Sequence, residues 1–364
     1  MPDTTLKIEL DGEVVSDEDI QQLLDVQVEE SSVDADAATL VARVEPGADG
    51  EWASLLDPLV TPQTGVALEV TRGEVSYRFD GLSTEAVWEL DAGGSSRLTV
   101  KAVDRTLELD LEEKVVAWPG TSESGIAEAI FGSYGLSTDV ESTPSGPDPD
   151  VHVLIQRATD MSFLRSLATK WGYAVYLESE DGRGVGHFHP IDPLADPQGE
   201  LALGFGGDAL RVETRAQLTA GQRVHAERIP VLSDTPQAGD SAGDDEAQGQ
   251  RTLGGQATLL LAPDDVAGEV EPLAAATGIA RRSAFAASLT AEVDTAGVGL
   301  MLRAKRTVLV KGLGSSLSGL YLVQRVRHVL GPDRHRQQLT LVRNALGLTG
   351  DEAFDTGGLG GVIP

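Results

Sequence analysis

The chain has 364 residues, carries 58 acidic against 28 basic side chains for a formal net charge of −30, and contains no cysteine. That length exceeds an ordinary single core and predicts two or three domains, while the missing cysteine excludes disulfides, thiolate chemistry and metal sites built on sulfur. So acidic a chain repels phosphate, and no sequence-specific nucleic-acid partner is expected.

No apolar run approaches the ~20 residues that span a bilayer, and the opening MPDTTLKIELDGE lacks the basic and apolar regions of a signal peptide. Synthesis in the cytoplasm and no membrane partner are the expectations. Only six of the basic residues are Lys, a pattern that a salt-loving source and a high-GC coding bias both produce.

Thr5–Leu10 alternates and stops at Asp11-Gly12, a hairpin signal. Ser16 heads an acidic run and caps a helical turn reaching Leu24. Leu24–Glu30 and Ala38–Val44 alternate again, Trp52–Leu56 reads as a short helix, and Gly65–Arg72, Ser76–Phe79, Leu82–Leu90 and Arg97–Val103 read as strands separated by turn signals. Such spacing predicts a small antiparallel barrel over residues 1–108.

Ser122–Tyr134 then reads as a capped helix with Ile126, Ala129, Ile130 and Ser133 on one face and Gly135 just past its end. Val151–Gln156 is a strand. Asp160 is expected to cap a helix over Met161–Trp171, whose Phe163, Leu164, Leu167, Ala168 and Trp171 form an apolar stripe. Tyr173–Leu177 and Gly186–Pro190 are strands around Asp181-Gly182. Residues 109–197 therefore read as a small α+β insert.

Strand patterning resumes at Leu201–Leu203, Leu210–Gln217 and Gln222–Ile229. Ser233–Gln250 is low-complexity and acidic and reads as a flexible loop, Thr252–Leu261 as a strand, and Pro272–Ala287 as a helix followed by a strand at Ser288–Glu292. Thr307–Val310, Gly319–Leu330 and Arg334–Val342 close the pattern as three alternating strands. Strict alternation puts Leu320, Leu322, Gln324, Val326 and His328 on one face of the middle strand, and Tyr321, Val323, Arg325, Arg327 and Val329 on the other. A second barrel over 198–346 follows, then a Gly-rich tail over 347–364. The fold class is thus mainly β (α+β): two antiparallel barrels around an α+β insert.

Charge is segregated. Residues 1–60 hold sixteen Asp and Glu against Lys7 and Arg43; residues 303–343 hold nine Lys and Arg against Asp333 alone. The two surfaces are either simply solvated or face each other, within one chain or between chains. In the second case Arg303, Lys305, Arg306, Lys311, Arg325, Arg327, Arg334 and Arg336 are the candidate inter-subunit contacts.

Three stretches resemble a known family: LTVKAVDR over Leu98–Arg105 after the Phe79-Asp80-Gly81-Leu82 step, QRATDMSFLRSLATKWGYAVY over Gln156–Tyr176, and VLVKGLGSSLSGLYLVQRVRH with RHRQQLTLVRN near the end. They look like the phage late control D family, hub proteins of contractile tails and injection systems, which shares its fold with the N-terminal part of VgrG. The resemblance implies a homotrimer whose six barrels form a ring. It also implies an inner tube or tube-initiator protein at one end, a spike protein at the other and baseplate proteins around it, all within an assembled particle. GGLGGVIP is too short to be a fused spike, so the spike is expected to be a separate chain.

Chemistry is sparse. His187-Phe188-His189 puts two imidazoles on one strand face at a spacing that suits Zn or Ni, but the nearest third ligand in sequence is Asp192; a solvent-facing strand edge is the reading, with no metal. Asp104-Arg105 reads as an ion pair or turn lock. His328 and His335 flank a turn and are expected to face each other or a neighbouring chain. No nucleophile elbow, P-loop or HExxH helix appears, and no carboxylate pair stands out. No enzyme, catalytic residue or cofactor is expected. The alternatives are a two-domain β-rich surface or secreted binding module, and a tail-associated wall-degrading enzyme.

Overall fold

The structure is a computed structural model. It describes residues 4–47, 51–91, 95–144, 146, 149–150, 153–180, 183–203, 207, 209–218, 223–228, 237–241, 246–253, 258–261, 272–331, 334–350 and 352. Strands take 50% of it and helices 17%, so the fold is mainly β.

Gly319–Gly331 is the longest strand of the second β unit, and it enters both apolar cores. Tyr321, Val323 and Val326 pack in one, Leu330 in the other. A β-bulge between Val323 and Arg325 resets the parity of the strand. Tyr321 and Val323, expected on the face opposite Val326 and His328, are therefore buried with them.

One 13-stranded sheet runs Ala209–Ala216, Ala287–Asp294, Arg334–Arg343, Gly319–Gly331, Leu23–Ser31, Ala37–Arg43, Arg97–Asp104, Val75–Glu89, Gly65–Arg72, Thr5–Leu10, Glu13–Val14, with Thr307–Lys311 and Glu200–Ala202 branching from Gly319–Gly331. Its pairs are antiparallel except Glu200–Ala202 on Thr307–Lys311. The two β units meet by direct strand pairing, from Arg325 opposite Ser31 to Leu330 opposite Val26. They share a sheet but keep separate cores. The first is built on Ile8, Val28, Leu40, Leu68, Phe79 and Val100, the second on Leu201, Leu289, Val308, Tyr321 and Leu341. Each such side chain, fully buried, contributes about 1.5–3 kcal/mol.

The insert has its own core of Ile126, Phe131, Leu164, Leu167 and Phe188. Helix Glu123–Ser133 is capped by Ser122, whose hydroxyl accepts from the Gly125 amide at 3.1 Å. Its buried face is Ile126, Ala127, Ile130 and Phe131, whereas Ala129 and Ser133, expected inside, are exposed. Helix Asp160–Trp171 ends at Gly172. Its cap is Thr159, which accepts from the Ser162 amide at 3.2 Å; Asp160 instead turns inward to Lys114 at 2.5 Å. Ser137–Val140, to which the sequence pattern assigns no element, is a strand pairing in parallel with Arg183–His189, whose other edge takes Ala174–Glu180.

Other readings change as well. Trp52–Ala53 is strand, and the helical turn comes later, at Asp57–Val60. Val75–Glu89 is one strand, not two. It passes through Gly81 because a Cβ there would lie 2.4 Å from the Val103 carbonyl oxygen and 2.5 Å from the Phe79 ring, so Gly serves close packing rather than a break. Within the stretch read as a flexible loop, Gln237–Ser241 pairs with Arg223–Arg228. The Asp181-Gly182 turn and nearly all of the tail from 351 onward lie outside the described residues.

Candidate functional site

Where the two β units and the insert meet, the structure buries a charged cluster. Val26, Val28 and Glu30 share one face of Leu23–Ser31, so alternation carries Glu30 inward; it is 0% exposed. An isolated buried carboxylate is costly, and this one is matched from the second unit. The Arg303 Nε donates to both Glu30 oxygens at 2.8 and 2.9 Å, and the Ala304 amide donates at 3.2 Å. His328 Nε2 lies 3.3 Å from Glu30, and its Nδ1 lies 3.0 Å from His335 Nε2. Tyr77 stacks on the His328 ring at 5.5 Å while Arg303 lies 4.6 Å over the Tyr77 ring.

Lys305 forms the second half. Only 4% of its side chain is exposed, 3.5 Å from Asp36 and 3.6 Å from Glu178 of the insert, with its ammonium 4.6 Å over Tyr176. Its φ of 65° is left-handed, a strained setting for a non-glycine residue. The surrounding contacts hold it. Asp36 accepts from the Ser31 amide at 2.8 Å and the Tyr77 hydroxyl at 3.2 Å, and its own amide donates to Asp104 at 2.8 Å. Asp104 also accepts from the Thr106 amide at 3.0 Å, which makes it a turn lock where the first unit ends. Arg105 pairs outward with Asp80 and Glu108.

Protonation follows from this packing. Burial would raise the Glu30 carboxyl, but the Arg303 charge and the His328 hydrogen bond outweigh it and hold Glu30 below the usual range. Burial pushes Asp36 up to about 7, against Lys305 and with help from Asp104 and Glu30. Asp104 is raised, chiefly by burial. Burial would lower Lys305, and the surrounding carboxylates overcome it and raise it. Burial, His328 and Arg72 drive His335 down to about 3, so its ring is neutral. The cluster thus reads as a junction lock joining three parts of the chain.

The candidate contact residues divide accordingly. Arg303 and Lys305 lie inside the chain, where burial withdraws them from any outer surface. Lys311 pairs with Glu200, and Arg336 with Glu292 at 3.0 Å. Arg325 pairs with Asp34 and with Glu29 at 3.1 Å, and Arg327 with Glu29 at 2.7 Å. The acidic first unit and the basic closing strands therefore face each other within one chain. Arg306 and Arg334 are exposed, with no carboxylate partner among the described residues.

The period-two placement of Glu30 with Val26 and Val28 was the available signal for it. Asp36, Tyr77 and Glu178 had none, because their positions depend on packing between units. The two imidazoles of His187 and His189 share a face, as the spacing implied, but on the central strand of the insert's sheet with His187 buried, not on a solvent-facing edge. Their acidic neighbour is Asp139, on the strand that the sequence did not reveal; Asp192 instead accepts from the Leu194 amide at 2.8 Å.

No protein-family model matches the chain, and no curated protein matches it by sequence. Solved structures do match. The fold is similar to the 43 kDa tail protein of prophage MuSo2 from Shewanella oneidensis, at TM-score 0.65 and 13% identity over 94% of this chain and 100% of that one. It is similar to a tail protein from Neisseria meningitidis, at TM-score 0.63 and 14% identity over 94% and 98%. An Escherichia coli component of the type VI secretion system matches at TM-score 0.56 and 12% identity over 93% and 76%. The likeness, at 12–14% identity, is one of fold, and it is to phage tail proteins and a type VI secretion component.

Proposed function

We propose that this chain is the structural hub of a phage-tail or contractile-injection baseplate. Three copies form a ring of six β units that joins a sixfold inner tube to a threefold spike. Residues 1–108 and 198–346 are the two wall segments and 109–197 the insert. The observation that carries this reading is the fold likeness to phage tail proteins over 94% of the chain, joined by the likeness to a type VI secretion component. The arrangement answers a symmetry problem: a chain with two similar β units offers six like positions from a trimer, and contacts between them close by rotation.

The buried lock suits this role, since it sets the angle between the two wall segments before assembly. A groove of about 320 Å³, lined by Glu29, Arg211, Glu213, Glu292, Arg325 and Arg327, offers both signs of charge to a neighbouring unit. With Arg306 and Arg334 it makes the candidate seam between chains, where unlike charges favour one order of units around the ring. Acidic side chains toward the lumen would keep acidic cargo from adhering.

Co-expression with the products of flanking genes, followed by cryo-electron microscopy, tests this. The expected particle is a threefold ring with six β units and an acidic bore. A single-copy particle, a different symmetry or a basic bore overturns the reading.

A further inference from the structure

The insert brings together three ligand atoms that the lock does not use. His187 and His189 lie two apart on the central strand Arg183–His189, and Asp139 sits directly opposite His187 on the parallel neighbour Ser137–Val140. His187 Nδ1 is 3.1 Å from Asp139 Oδ2; His189 Nε2 is 3.4 Å from His187 Nδ1 and 3.4 Å from the same Asp139 oxygen. A tetrahedral ion with bonds of about 2.0–2.1 Å needs ligand atoms about 3.3 Å apart. The three atoms therefore already span one face of such a tetrahedron. We propose that Asp139, His187 and His189 form a binding site for one divalent transition cation of the Zn²⁺ class.

The surroundings prepare both rings for this. His189 Nδ1 lies 2.8 Å from the Pro190 carbonyl oxygen. That oxygen only accepts, so the ring's proton sits on Nδ1 and the Nε2 lone pair points at the other two ligands. The Tyr176 ring, stacked on His187 at 4.5 Å and edge-on to His189 at 5.9 Å, holds the rings in place, and its hydroxyl, 3.3 Å from His189 Nε2, gives up that lone pair when a cation binds. With a cation on His187 Nδ1, that ring carries its proton on Nε2, facing the Glu178 carboxylate 4.0 Å away. A carboxylate or backbone carbonyl behind each ligating imidazole is how metal sites fix ring orientation. Two nitrogens and one oxygen favour a borderline cation over Mg²⁺ or Ca²⁺, which prefer oxygen. The Asp139 side chain is 62% exposed, so the fourth position opens to solvent.

Bound metal would clip the edge strand Ser137–Val140 to the centre of the insert's sheet. Glu178 also faces Lys305 and Arg303, so the site adjoins the lock. The expectation of no metal at His187 and His189 rested on Asp192 as the nearest third ligand. The strand pairing replaces it with Asp139.

The test uses the full chain, stripped with EDTA and titrated with ZnCl2 by calorimetry in excess MgCl2, which occupies adventitious carboxylate sites. The expected result is one Zn²⁺ per chain and a Zn²⁺-dependent rise in Tm. Asp139→Ala alters an exposed side chain and His189→Gln a partly exposed one; each lowers affinity at least ~10-fold while leaving the metal-free Tm near wild type. Absence of one-to-one binding, or unchanged affinity in both variants, overturns the proposal.

Discussion

Replacing Arg303 by Met would separate the lock from simple packing, because Met keeps much of the aliphatic bulk and removes the charge. Glu30 would then lie fully buried with only the Ala304 amide and His328 as close partners. Breaking one side of a buried ion pair costs about 3–5 kcal/mol, since the stranded charge keeps its desolvation penalty. The surviving partners place this case near the lower end, about 3 kcal/mol at pH 7, and the lost bond from Arg303 to the Ser76 carbonyl at 2.9 Å acts in the same direction. Glu30 is held low in the folded wild type, so its contribution is complete above its unfolded value of about 4.3 and fades as pH falls through the folded value. In the variant, burial no longer opposed by the Arg303 charge pushes Glu30 up, so Glu30 takes up a proton on acidification and the penalty of Arg303→Met should shrink while the wild-type contribution is still complete. Urea unfolding followed by tryptophan fluorescence, at pH 7 and pH 4.5, measures both. Adding Glu30→Gln to Arg303→Met should restore part of the loss, a coupling above about 1 kcal/mol. A single-variant loss below about 1 kcal/mol, or effects additive within about 0.5 kcal/mol, would show that the pair is incidental.

His335→Gln should change the pH profile. The folded ring resists protonation down to about 3 while the unfolded ring titrates near 6.5, so His335 contributes stability above 6.5 that is lost as pH falls toward 3. That loss is about 2 kcal/mol between pH 6.5 and pH 5. Asp36, raised to about 7, acts with the opposite sign over the same interval. Urea midpoints at the two pH values should show the variant gaining about 2 kcal/mol relative to wild type on acidification, and parallel profiles would refute the assignment. Gly278→Ala should lower Tm. Its Cβ would lie 2.4 Å from the Trp171 carbonyl carbon and 2.6 Å from the Gly172 amide nitrogen, backbone that cannot rotate away. Helix Pro272–Ala284 must shift from helix Asp160–Trp171 at a cost of about 1–3 kcal/mol; an unchanged melting curve would contradict that contact.

Much of the fold was legible because its signals are local. Thr5–Leu10, Gly65–Arg72 and Arg97–Asp104 show period-two alternation, and the structure places them as strands with one face in the core. Helix Asp160–Trp171 showed its stripe and its Gly stop, and only its cap was displaced by one residue, because Asp160 serves Lys114 instead. The errors have a common cause. A bulge adds one residue and inverts parity, so the faces of Gly319–Gly331 were misassigned beyond Val323. Ser137–Val140 has no alternation of apolar residues, and it is a strand only because Arg183–His189 pairs with it. Asp139 was missed with it, and with Asp139 the third ligand of the His187–His189 site.

Composition and periodicity by themselves determined a β-rich chain with a helical insert, an acidic beginning and a basic end. They did not say that Glu30 turns inward, or what it meets there. Arg303 lies 273 residues from Glu30, and Glu178, which also reaches Lys305, comes from a third part of the chain. Alternation is a property of neighbours along the backbone, whereas desolvation forces a buried charge to find its partner across space. Only the tertiary structure decides which partner that is.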